Sequence, residues 1–86
     1  MYQIKLSRQA QKDKKLLKQS GLDQKAIKLL KIIANDPFQT PPPYEKLVGN
    51  LQGKYSRRIN IQHRILYSVH DQDKIVFIYR MWTHYQ

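Results

Sequence analysis

Residues 55–82 read YSRRINIQHRILYSVHDQDKIVFIYRMW, and this stretch decides the fold. β-Branched and aromatic residues crowd three runs, 55–61, 64–69 and 74–82. Those residue types suit a pleated, half-buried surface. Asp71-Gln72-Asp73 separates the last two runs with turn formers, which predicts a hairpin. Gly49 and Gly53 punctuate the approach to the first run.

Upstream of the strands lies DPFQTPPPY, residues 36–44, with four prolines in nine residues. Proline neither continues a helix nor donates to a ladder, so this segment is a stiff loop. Before it come two helical stretches. Residues 8–19 are rich in Lys, Gln, Ala and Leu, all good helix formers, and Ser7 fits their N-cap. Ser20-Gly21 breaks that helix. A second helix is expected over 22–35, where Leu22, Ala26, Leu29, Leu30 and Ile33 fall on one apolar stripe. At the start of the chain, Tyr2, Ile4 and Leu6 alternate with Gln3 and Lys5, the period of a strand. The expected fold class is therefore α+β. An N-terminal strand precedes a two-helix hairpin, which packs on one face of a mainly antiparallel four- or five-stranded sheet. The other face of the sheet stays open to polar residues.

Composition narrows the function. Eighty-six residues form one domain, 1–86. There is no cysteine, which excludes a disulfide scaffold and a zinc-thiolate site. No apolar run approaches membrane-spanning length, and the N-terminal residues lack a signal peptide's apolar stretch, so a cytoplasmic protein is expected. Sixteen Lys and Arg against six Asp and Glu leave a formal charge of +10. Residues 1–31 carry nine bases and two acids, a net of +7, and residues 32–86 carry the remaining +3. A domain this basic attracts phosphate backbones and acidic segments.

Few residues offer chemistry. His63, His70 and His84 lack metal-ligand spacing. His63 and His70 read as a structural and a solvated histidine, and Tyr55, Tyr67 and Tyr79 as packing residues. Glu45 is the only glutamate, placed between the proline loop and the sheet. Arg57 and Arg58 are adjacent, so a strand sends them to opposite faces. Arg64 and Arg80 lie on the following strands. A guanidinium suits a phosphate whose charge grows in a transition state. The terminal Trp82-Thr83-His84-Tyr85-Gln86 adds a proton-transfer group and an aromatic ring. Taken singly, Glu45 and each arginine read first as a solvated surface group or ion pair.

Together they form a pattern. The run EKLVGNLQGKYSRRINIQHRILY, residues 45–67, followed by the terminal His84-Tyr85, resembles the Txe/YoeB family of toxin–antitoxin toxins within the RelE/ParE superfamily. The resemblance covers essentially the whole chain, and the N-terminal helices match mainly in layout. It implies a ribosome-dependent endoribonuclease that cuts mRNA in the ribosomal A site, with no metal and no cofactor. It further implies Glu45 as general base, His84 as general acid, Arg64 as the cation on the phosphate and Tyr85 as the residue orienting substrate. Lys46, Lys54, Arg57 and Arg58 would hold flanking RNA phosphates. The implied partners are a cognate antitoxin of the YefM/Phd type, the ribosome and mRNA, and no membrane. Family toxins often dimerise, a property these residues do not themselves specify. The sequence departs from the family at Lys46 and Val48, where proline and lysine are common, and at Gln86, which follows the His-Tyr pair. Two other readings compete: a non-catalytic toxin of the same fold, and a basic protein that binds nucleic acid or the ribosome.

Overall fold

The computed structural model describes residues 1–82. Strand β1 (Gln3–Leu6) runs directly into helix α1 (Arg8–Gln19) through Ser7. The Ser7 hydroxyl accepts the backbone N–H of Ala10 at 2.9 Å, satisfying a first-turn donor. The same hydroxyl donates to the carbonyl of Tyr79 at 2.8 Å, so this cap also ties α1 to the sheet.

Helix α1 ends as its sequence predicts. Gly21 takes φ +73°, a left-handed conformation open to glycine. Its N–H bonds the Lys18 carbonyl, and the N–H of Leu22 bonds that of Leu17. This pair of bonds satisfies the last carbonyls and reverses the chain into α2 (Asp23–Asn35). Ala10, Asp13 and Leu17 on α1, and Ala26, Leu29 and Ile33 on α2, form the buried stripes.

The remaining strands are β2 (Glu45–Lys46), β3 (Tyr55–Arg58), β4 (Arg64–His70) and β5 (Ile75–Arg80). They join β1 in one sheet of order β1-β5-β4-β3-β2. β1 pairs parallel with β5, and the other three pairings are antiparallel. The helices bury their apolar stripes against one face, where Ile65, Tyr67, Val76, Ile78 and Met81 complete the core. This is the expected α+β architecture, with five strands. No helix among the described residues is long and apolar enough to cross a membrane.

Strand ends depart from the sequence reading for local reasons. The first expected run continued to residue 61, yet β3 stops at Arg58. The Asn60 side chain accepts the N–H groups of Gln62 and His63 at 2.9 and 2.7 Å, an alternative to the ladder that turns the chain. β5 begins at Ile75, because Lys74 takes φ +54° within the hairpin turn. It ends at Arg80, because the next N–H, that of Met81, goes to the Asp13 carboxylate at 2.9 Å.

Candidate active site

Side chains alternate across a strand, and register partners share a face. Glu45 is opposite Ser56, Ser56 is opposite Leu66, and Arg58 is opposite Arg64. These residues therefore occupy the face away from the core residues Ile65 and Tyr67. Glu45 lies on the two-residue edge strand and is exposed. Among the described residues it makes no ion pair and no side-chain hydrogen bond. It is a surface carboxylate, but not one paired with Lys46 or a neighbouring arginine.

The same face continues across the sheet. The Ser68 hydroxyl lies 3.1 Å from the Tyr79 hydroxyl and 3.2 Å from Nε2 of His70. Phe77 meets Tyr79 edge-on at 4.8 Å, and Lys54 Nζ sits 4.8 Å above the Tyr79 ring. Tyr79 thus borders the open face, whereas Tyr55 and Tyr67 belong to the packed side. By the same alternation Lys54, just before β3, and the register partners Arg58 and Arg64 put positive charge on the face that carries Glu45. Lys46, by contrast, is the register partner of Tyr55, so alternation places it on the opposite face from Glu45.

Arg57 corrects the sequence reading most clearly. Expected to hold RNA phosphates with Arg58, it is only 1% exposed. Its Nε donates to the Tyr67 hydroxyl at 3.0 Å, and Nη1 donates to the Pro42 carbonyl at 2.6 Å. Nη2 donates to the carbonyls of Pro37 and Gln39 at 2.9 and 2.8 Å. The guanidinium also lies 5.1 Å from the Tyr44 ring centroid. A planar fork of donors can meet several carbonyls at once, which an ammonium cannot match. Arg57 therefore fastens the proline loop that delivers Glu45 to the sheet edge, and it leaves Arg58 as the exposed member of the pair. Tyr67 completes the staple by donating to the Pro37 carbonyl at 2.9 Å. Burial pushes its phenol pKa up, against the opposing pull of Arg57.

A second buried charge fixes the far end of β5. Asp13 is fully buried on α1 and accepts Arg80 Nε at 3.0 Å, the Met81 N–H at 2.9 Å and the Gln9 amide at 3.0 Å. Burial alone would raise its carboxyl pKa. The bonds from Met81, Gln9 and Arg80, with the charge of Arg80, outweigh that and hold it below the usual carboxylate value. Arg80 is thus a tie to α1. Just beyond it, Trp82 stacks on His63 with ring centroids 4.0 Å apart, which bears out the structural reading of His63. His84 and Tyr85 lie outside the described residues.

Among the described residues no three His, Asp or Glu side chains gather as a metal site would require. A concavity of about 950 Å³ lies elsewhere, between the helices and β1, lined by Leu6, Leu17, Leu30 and Met81 with Lys14 and Lys18. The open face carries polar groups beside the apolar Leu66, Ile75 and Phe77. Its exposed carboxylate can accept a proton, and its guanidinium groups can hold an anion. Ser56 and Ser68 escaped the sequence reading, and Tyr79 was read only as a packing residue, since a serine or tyrosine in a strand carries no mark of the face it will occupy.

This layout, two helices on one face of a five-stranded sheet with a polar open face, is that of the small RelE-like toxins. A family model described as YoeB-like toxin of bacterial type II toxin–antitoxin systems matches residues 6–85. The chain belongs to that family. It is 45% identical over 76 residues to a YoeB toxin of Synechocystis, covering 88% of this chain and 79% of that one. It also superimposes on YoeB in the heterotetrameric YoeB–YefM toxin–antitoxin complex of Staphylococcus aureus, with a TM-score of 0.82, 36% identity and 99% of each chain covered. A YoeB dimer from the same organism matches with a TM-score of 0.82, 37% identity and 98% of each chain covered.

Proposed function

We propose that this toxin is a ribosome-dependent endoribonuclease that cuts mRNA in the ribosomal A site and so arrests translation in the cytoplasm. The observation that carries the reading is the placement of Glu45. The chain's only glutamate, unpaired among the described residues, shares one sheet face with Arg64 and Arg58 in a member of this family. Glu45 takes the proton of a ribose 2′-hydroxyl. The 2′-oxygen attacks the adjacent phosphorus, and the bond from phosphorus to the 5′-oxygen breaks. Arg64 stabilises the charge that grows on the phosphoryl oxygens. His84, by its motif position, protonates the departing 5′-oxygen, and Tyr85 orients the nucleotide. The products are a 2′,3′-cyclic phosphate and a 5′-hydroxyl.

Arg58 and Lys54 hold flanking phosphates, with Lys46 reaching RNA from the edge of β2. Arg57 is left out of this set because its donors are committed to the proline loop. The nine basic residues of positions 1–31 supply attachment to ribosomal RNA without reading its sequence. A YefM-like antitoxin neutralises the toxin, since an acidic partner segment complements a chain of net charge +10. Residues 1–86 act as one toxin domain, and self-association follows the YoeB dimer it resembles.

The test is induced expression without antitoxin, with mRNA ends mapped on ribosomes. Growth arrest with new 5′ ends at A-site codons is expected, and the Glu45→Gln protein should give neither. Growth arrest with intact mRNA would instead identify a non-catalytic toxin.

A further inference from the structure

Ser56 is 2% exposed, and its hydroxyl has no hydrogen-bond partner. No other buried side-chain polar atom among the described residues is left so. A buried orphan hydroxyl is unfavourable, and natural proteins retain few of them without a reason. Its position supplies one. Ser56 is the register partner of Glu45, itself without a described bonding partner. Side chains directly opposite in an antiparallel pair have Cβ atoms roughly 4.5–5.5 Å apart. A serine hydroxyl and a glutamate carboxylate meet across that gap by side-chain rotation alone.

We propose that Ser56 is a positioning residue for Glu45, donating its hydroxyl hydrogen to one carboxylate oxygen when RNA occupies the open face. The inference rests on the general-base reading of Glu45 and deepens it. On a narrow edge strand a glutamate has several rotamers, and a donor from β3 selects the one that reaches across the sheet. One carboxylate oxygen is then held, and the other is free to take the 2′-hydroxyl proton. The bond also favours the ionised carboxylate, the form a base requires. Ser56 remains unsatisfied in the free protein because its acceptor lies exposed at the edge, turned to solvent rather than to β3, an arrangement in which some stability is given up at a functional site.

Among the described residues, the charged and titratable groups sharing the face with Glu45 are Lys54 just before β3, Arg58 on β3, Arg64 and His70 on β4, and Tyr79 on β5. All are retained when Ser56 is changed, so a difference between variants isolates the hydroxyl. The experiment compares wild type, Ser56→Ala, Ser56→Thr and Glu45→Gln for cleavage of ribosome-bound mRNA across pH, and for thermal unfolding. Ser56→Ala should lower kcat at least fivefold with KM within twofold, and move the acid limb of the pH–rate profile to higher pH. Ser56→Thr, which keeps the hydroxyl, should restore most of the rate. The melting temperature of Ser56→Ala should equal or exceed that of wild type, since an orphan group is removed. Wild-type cleavage with an unchanged rate and profile in Ser56→Ala would overturn the proposal and leave Glu45 as base. A fall in melting temperature would overturn it too, by showing a structural role. Loss of cleavage in Ser56→Ala but not in Glu45→Gln would reject the base assignment and the proposal together, as would wild-type protein that does not cleave.

Discussion

Arg58 and Arg64 are register partners across β3 and β4, so two guanidinium groups stand side by side at one end of the sheet. Neither forms a salt bridge with an acidic side chain among the described residues. Like charges directly opposite one another are unfavourable in a sheet, and an anion between them reverses the sign.

This pairing predicts distinct roles in RNA handling. Arg58→Gln should weaken RNA binding across sequences and lower the slope of log affinity against log salt by about 1. Arg64→Gln should reduce kcat roughly 10²–10³-fold, as removal of an oriented donor to a developing oxyanion does, with a smaller change in KM. Salt-dependent binding and single-turnover cleavage measure the two. Equal effects of both changes on affinity alone would make Arg64 a simple phosphate contact.

Adjacent Arg57 and Arg58 should respond unequally to replacement by lysine. An ammonium in place of the Arg57 fork cannot reach the carbonyls of Pro37, Gln39 and Pro42 together, and Pro37 keeps only its bond from Tyr67. Hydrogen bonds to charged groups contribute about 1.5–3 kcal/mol each, so a loss of about 2–3 kcal/mol is expected for Arg57→Lys. In a domain this size that lowers the melting temperature by roughly 8–24 °C. Arg58→Lys should stay within about 0.5 kcal/mol of wild type. Thermal unfolding of the two proteins decides.

The Asp13 tie makes stability acid-sensitive. Its carboxyl titrates below the ordinary value near 3.8 in the folded chain, so the unfolded chain takes up the proton first as pH falls. Its stabilisation is therefore complete above that ordinary value and is lost as pH drops through the folded one. Asp13→Asn should lower the melting temperature at pH 7 and flatten its decline between pH 5 and 2. Asp71 is the control. The Tyr2 hydroxyl and the charge of Lys74 also hold its carboxyl low, but it is fully exposed, so Asp71→Asn should change the curve little. An unaltered acid limb in Asp13→Asn would contradict the assignment.

Much of this architecture is written locally. Ser7, Gly21 and the apolar stripe of α2 each act within a few residues; the run 64–69 survives as β4, and the runs 55–61 and 74–82 survive with trimmed ends. The trimming came from side chains that compete for backbone N–H groups, Asn60 nearby and Asp13 at a separation of 68 residues. Asn60 acts at short range, whereas Asp13 acts through tertiary contact that no sequence window contains. The position of Glu45 at the sheet edge was likewise readable from the proline loop before it. The fate of Arg57 was not. Its partners lie 10 to 20 residues away, and nothing in an Arg-Arg pair says which member will be buried. Ser56 matters only through its register with Glu45, and Lys46 fell on the opposite face by the same alternation.

The central claim is attack by a ribose 2′-hydroxyl that Glu45 deprotonates. It is tested most directly with ribosome-bound mRNA carrying a single 2′-deoxy substitution on the 5′ side of the cut. Wild-type toxin should cleave the unmodified message to a 2′,3′-cyclic phosphate and a 5′-hydroxyl, and should leave the substituted linkage intact while still binding it. Cleavage of the 2′-deoxy linkage at the unmodified rate would contradict the account.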